Sequence, residues 1–200
     1  MPLTTAPYIA QAARWPTSGR HILAQYDVAS VVVYQAYRPA IGRFAATHGF
    51  FGGDFSLDRM SWIKPNFLWM MYRSGWGTKP GQEVTLAVRI QRAAFDAILR
   101  AVVPSSFDAA RYPDVAAWKA AVAHSEAREQ WDPDHDPSGA PLARRAIQLG
   151  LRGELLARYT REWIVEIEDI SPFVAEQRQR AHSPYADLLT PREDVYNRSG

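Results

Sequence analysis

Two hundred residues with 47% hydrophobic and 12% aromatic content and no cysteine make one domain that builds its core without disulfides. They exclude a cysteine nucleophile and thiolate metal sites. The formal net charge of +2 gives no general argument for nucleic acid, but beyond Lys64, Lys79 and Lys119 every basic side chain is Arg, whose planar fork suits phosphate and carboxylate.

Residues 1–30 are mixed, with His21–Asp27 a short strand or turn. Ser30 to Tyr37 is β-branched and aromatic, the composition of a buried strand. Pro39 suits the first turn of a helix carrying Ile41, Phe44 and Ala45, and Gly49, Gly52 and Gly53 break the chain into a loop. In the block from Met60 to Trp76, Pro65 opens a helix with Leu68, Met71 and Tyr72 at helical spacing, and Gly75 closes it. Glu83 to Ile90 alternates as a half-buried strand does. Gln91 to Val103 reads as an amphipathic helix with Phe95, Ile98, Leu99 and Val102 on one face.

Pro104, Pro113, Pro133, Pro137 and Pro141 make residues 104–141 a loop-rich stretch, a lid or flap around a helix near Val115–Glu129. Ala143 to Leu151 fits strand or helix, and Arg161 to Ile170 is a strand with Trp163, Val165 and Ile167 alternating. Irregular alternation without βαβ repeats predicts an α+β fold with two small, mainly antiparallel sheets forming a cleft and helices flanking them. One globular domain over residues 1–182 is expected, followed by a polar, frayed tail over 183–200.

The densest chemistry sits in Tyr34, Gln35, Tyr37 and Arg38 and in Trp62, Lys64, Asn66, Trp69, Tyr72, Arg73 and Trp76. Cations interleaved with flat rings stack a base or a nicotinamide while holding its phosphates. Arg38, Lys64 and Arg73 are expected to project into one pocket with Tyr37 or Tyr72 on its wall. The competing reading makes the Trp-rich helix ordinary core. Asp132, Asp134, Asp136 and His135 lack both the spacing of a calcium loop and a second His for zinc, so a solvated acidic turn and no metal are expected. Neither a nucleophile elbow nor a phosphate loop is present. No run approaches the ~18 apolar residues of a membrane span and no apolar leader opens the chain, so a cytoplasmic protein without a membrane partner is expected.

The strings YQAYRPAIGRFA, DRMSWIKPNFLWMMYRSGW, QWDPDHD, RRAIQLGL and WIVEIEDI, with Gln82-Glu83, resemble the family catalogued as domain of unknown function 4291, over roughly residues 14 to 175. More distantly, the order of strand, helix, Trp-rich block, strand and helix, closing on RGELLARYTREWIVEIEDI, resembles a divergent ADP-ribosyltransferase. That resemblance implies NAD as co-substrate in a cleft between two sheets, with ADP-ribose passed to a nucleic acid, protein or small molecule. It gives the early cation position to Arg38 and the catalytic carboxylate to Glu154, with Glu83, Glu166 and Glu168 competing for it. Tyr37, Arg38, Lys64, Trp69, Tyr72 and Arg73 would contact the cofactor. The alternative from the residues themselves is a non-catalytic module that binds a nucleotide or single-stranded nucleic acid on the same surface.

Overall fold

Strand β1 (Thr5–Pro7) and helix α1 (Tyr8–Ala12) open the computed structural model, which describes residues 3–197. Two short strands follow, β2 (Gly19–Arg20) and β3 (Leu23–Ala24). The β-branched run forms β4 (Ser30–Tyr37), of which Ser30 to Gln35 are buried. Pro39 then starts α2 (Pro39–His48), which ends on Gly49 at φ +74°, a left-handed conformation that suits glycine. Next come β5 (Ser61–Ile63) and α3 (Phe67–Ser74), the latter closed by Gly75 at φ +57°. Strand β6 (Val84–Gln91) leads into α4 (Arg92–Ala101), where Phe95, Ile98 and Leu99 face the core as their spacing predicts. The remaining elements are β7 (Val102–Pro104), α5 (Val115–His124), β8 (Ala127–His135), β9 (Pro141–Leu151), α6 (Gly153–Arg161), β10 (Ile164–Asp169), α7 (Ser171–Arg178), β11 (Leu189–Pro191) and β12 (Asp194–Val195).

The fold is α+β. One sheet has the order β10-β6-β4 and is antiparallel throughout. The second has the order β2-β9-β8-β7, with β5 also on β9. It is mixed, because β2 runs parallel to β9 and β7 parallel to β8. A single bridge between Tyr34 and Lys64 joins the sheets edge to edge: the Tyr34 amide donates to the Lys64 carbonyl at 2.7 Å and the Lys64 amide to the Tyr34 carbonyl at 3.2 Å. The strands therefore run as one curled surface, with β4 and β5 meeting where the Arg- and Trp-rich segments lie. Helix α2 packs tightly on β6: a Cβ at Gly42 would come within 2.5 Å of Val84 Cγ1.

Residues 127–135 and 141–151 form the longest hairpin of the protein rather than a lid. Asp134 and His135 are buried within it, so the acidic segment is no solvated turn. Strand β10 departs from strict alternation, because a bulge between Ile164 and Glu166 leaves Val165 exposed while Trp163 and Ile167 are buried.

The tail expected to fray from residue 183 is docked. Strand β11 pairs with β1 and β12 with β3, and Leu188, Thr190, Glu193 and Tyr196 are buried. Its polar residues are internal partners: Gln11 donates to Thr190 Oγ1 at 2.8 Å, and the Glu193 amide donates to Gln11 Oε1 at 2.9 Å. Residues 198–200 of that expected tail lie outside the described residues. The Glu193 carboxyl group accepts the Phe67 amide at 2.7 Å and so satisfies an unpaired N–H at the start of α3. Burial raises its pKa well above 4.5. A carboxyl group with a raised folded-state pKa binds more protons folded than unfolded, so its contribution to stability falls as pH climbs from about 4.5 toward the folded value. Thermal melts of Glu193→Gln should lack that part of the slope; parallel pH profiles for the variant and the wild type would refute it.

Candidate functional site

Strand alternation builds the floor of the site. On the β5 segment, Ser61 and Ile63 are buried, and Trp62 and Lys64 line a cleft that Ser61 also borders. Trp62 sits opposite Gly150 of β9. A Cβ at Gly150 would meet the Trp62 indole at 3.1 Å, so the glycine lets that ring lie flat against the sheet. Arg38 stands at the end of β4, where Pro39 turns the chain into α2. Asn66 accepts the Trp69 amide at 2.6 Å, and with Glu193 fixes the start of α3. The buried face of α3 carries Met70 and Met71, and its exposed face carries Arg73.

The cleft has two lobes. The larger, about 570 Å³, is bordered by Tyr37, Arg38, Phe55, Arg59, Lys64 and Arg73, a volume within the roughly 300–1,000 Å³ typical of small-molecule sites. The smaller, about 380 Å³, adds Trp69, Gln130, Asp132 and Gln148. Trp62, Lys64 and Arg73 border both lobes and so form the wall that the two share.

Behind the larger lobe lies a closed hydrogen-bond network. Gln35 Nε2 donates to the Tyr37 hydroxyl at 2.7 Å and to Ser61 Oγ at 2.9 Å, and Tyr159 donates to Gln35 Oε1 at 2.6 Å. Burial raises the Tyr37 and Tyr159 pKa values far above the ordinary range, so both phenols stay neutral and hold the Tyr37 ring in place. In the smaller lobe, Gln130 and Gln148 each donate to Asp132 at 2.9 Å, one to each carboxylate oxygen. Those bonds fix the direction of the carboxylate.

The electrostatics are one-sided. Arg38 forms a half-exposed ion pair with Asp54 at 3.0 Å. Among the described residues, Arg59, Lys64 and Arg73 have no carboxylate within 4.0 Å. Lys64 is 7% exposed. Burial first, and then the neighbouring Arg73 charge, push its ammonium down to about 8, against the pull of Asp132. A buried cation with so perturbed a pKa in a cleft marks a candidate functional site.

Of the residues singled out from the sequence, Tyr37, Arg38, Lys64 and Arg73 border the larger lobe and Trp69 the smaller. Tyr72 borders neither: its ring stacks on His135 at 3.5 Å between centroids, which occupies a face that a base would need. Glu154 also lies elsewhere. It is an exposed first-turn residue of α6, and its amide donates to Glu126 at 3.0 Å. Its carboxylate complements the helix N-terminus and borders neither lobe of the cleft. Glu83, Glu166 and Glu168 are likewise absent from both lobes. The carboxylate that faces Lys64 is Asp132. The sequence reading places Asp132 in a solvated acidic turn because the prolines around it hide β8, and it passes over Arg59 because that residue precedes the aromatic block. The alternation of Ser61, Trp62, Ile63 and Lys64 was the signal for β5. No cluster of three or more metal-ligating side chains occurs among the described residues. No helix there is long and apolar enough to cross a membrane.

A family model described as domain of unknown function (DUF4291) matches residues 21–196 of the chain. No curated protein matches it.

Proposed function

We propose that this chain, which belongs to the family described as domain of unknown function (DUF4291), binds a nucleotide in the two-lobed cleft. The observation that carries this reading is the convergence of Arg38, Arg59, Lys64 and Arg73 from separate segments on one cavity whose walls are Tyr37, Phe55 and Trp62. Among the described residues, three of the four cations have no acidic partner, so an entering phosphate gains their charge without first breaking an ion pair. The rings offer apolar faces to a base.

The expected result is saturable quenching of tryptophan fluorescence by ATP, ADP, NAD or a short single-stranded oligonucleotide, weakened by added salt as screening requires. Arg38→Ala should cost about 1.5–3 kcal/mol of affinity, the size of a lost charge-assisted hydrogen bond. No binding by any of these ligands would end the proposal.

A narrower reading keeps NAD as co-substrate and ADP-ribose as the group transferred to a nucleic-acid or protein acceptor. Asp132 favours it, as a carboxylate held by two glutamines opposite Lys64. Cleavage of the nicotinamide–ribose bond builds positive charge on the ribose, which a fixed carboxylate stabilises more than the ground state. In that reading Asp132→Asn abolishes nicotinamide release, whereas Glu154→Gln leaves it unchanged. A loss of release in Glu154→Gln alone would return the acid's role to α6.

A further inference from the structure

Lys64 stands out from the other cations of the cleft. It is buried, while Arg73 is exposed and Arg38 is more than half exposed at its side chain. Its backbone is pinned on both sides by the bridge to Tyr34, at the junction of the two sheets. Its side chain borders both lobes, and no hydrogen bond or ion pair holds its amine among the described residues. Structural lysines normally extend to solvent or reach a carboxylate. This one borders a cavity that Arg38, Arg59 and Arg73 also line.

From this placement we infer that Lys64 is a nucleophile that takes a nucleotidyl group from a nucleotide with a phosphoanhydride bond. The inference rests on the nucleotide-binding reading above. In the step, the lone pair of neutral Lys64 Nζ attacks the α-phosphorus and a phosphorus–nitrogen bond forms. The α-phosphoanhydride bond breaks and its electron pair leaves with the departing phosphate, which is pyrophosphate from a nucleoside triphosphate or nicotinamide mononucleotide from NAD. The amine proton passes to solvent. No oxidant, reductant or further reactant is required.

The surroundings fit each part of that step. Arg38 and Arg59 border the larger lobe only, where they would neutralise the departing phosphate. Arg73 borders both lobes beside Lys64, where it would face the phosphorus under attack. Trp62 lies two residues before Lys64 on the same strand face and would seat the base. A lysine is made nucleophilic by desolvation and by a neighbouring cation, and Lys64 has both. With its ammonium pushed down to about 8, about one in ten of its side chains is free amine at pH 7. Asp132 and Asp54 are the acidic side chains bordering the lobes, and Asp132 works in the opposite direction. Neither forms an ion pair with Lys64 among the described residues.

The full chain, incubated with magnesium and either [α-³²P]ATP or adenylate-labelled [³²P]NAD, should retain label through denaturing electrophoresis. Label from [γ-³²P]ATP should not be retained. The adduct should be acid-labile, as a phosphoramidate is, and peptide mass mapping should place one nucleoside monophosphate on Lys64. Its rate of formation should rise close to tenfold per pH unit up to about pH 8 and then level off. Lys64→Arg keeps the charge but not the nucleophile, so it should lose the label while still melting cooperatively. The ATP and NAD arms identify the donor. Binding without any covalent label in either arm, or label on another residue, would overturn the inference and leave the binding site standing. Absence of binding would overturn both.

Discussion

Replacing Asp134 with Ala is expected to destabilise the protein by about 3–5 kcal/mol. Asp134 is 1% exposed, and its Oδ2 accepts from Arg144 Nε at 2.8 Å and Nη2 at 2.6 Å. Its other oxygen accepts the His135 amide at 2.8 Å. Arg144, itself buried, also donates to the Pro16 carbonyl at 2.7 Å and lies over the Trp15 ring. Truncating the acid leaves the guanidinium buried without its counter-charge, the costly way to break such a pair. Asp134→Asn keeps an acceptor oxygen and should fall between the wild type and Ala. Denaturant melts measure the difference. A loss below about 1 kcal/mol would put the pair in the same class as an exposed surface bridge.

The second large effect is a pair of opposite changes in Lys64→Met. Affinity for a nucleotide should drop by about 1.5–3 kcal/mol, or roughly 10- to 150-fold. The unliganded protein should become more stable, on the order of 1–3 kcal/mol, because a desolvated charge is replaced by a flexible apolar chain. The pH dependence has a definite sign. A lysine whose folded-state pKa is about 8 and whose ordinary value is 10.5 binds fewer protons folded than unfolded between those limits. Wild-type stability from this group therefore rises as pH goes from about 8 to 10.5, and the variant should lack that rise. A structural lysine would show the reverse: loss of stability on substitution and no change in ligand affinity.

Much of the site's framework was legible in the sequence. Ser30 to Tyr37 announced β4 by composition, Pro39 and Gly49 bounded α2, and Pro65 and Gly75 bracketed α3, which starts two residues after Pro65 on the Asn66 cap. Placing Arg38, Lys64 and Arg73 at the ends or on the polar faces of these elements followed from those boundaries. The hairpin of β8 and β9 was illegible because prolines normally break strands. Here β7 covers only Ala127 to Glu129, so Pro133 lies on an open edge beside a register shift, and Pro141 is the first residue of β9. Both are positions where a missing N–H costs little. With β8 unseen, Asp132 had no place in the cleft. Similarity of segment order then assigned the acid to Glu154, which Glu126 and the start of α6 account for as a helix-terminal residue. The tail misled for a related reason: its Thr and Glu look solvated in sequence and are satisfied internally by Gln11, Asn66 and the Phe67 amide.

Photocrosslinking tests most directly whether the two-lobed cleft is a nucleotide site. The full chain is irradiated with an azido-substituted ATP and the modified peptides are mapped by mass spectrometry. The expected adducts fall on Tyr37, Phe55, Trp62 or Trp69, disappear when excess unmodified ATP competes, and are strongly reduced in Lys64→Met at unchanged or higher melting temperature. Adducts that map outside the cleft, or that persist undiminished in Lys64→Met, would contradict the nucleotide-binding account.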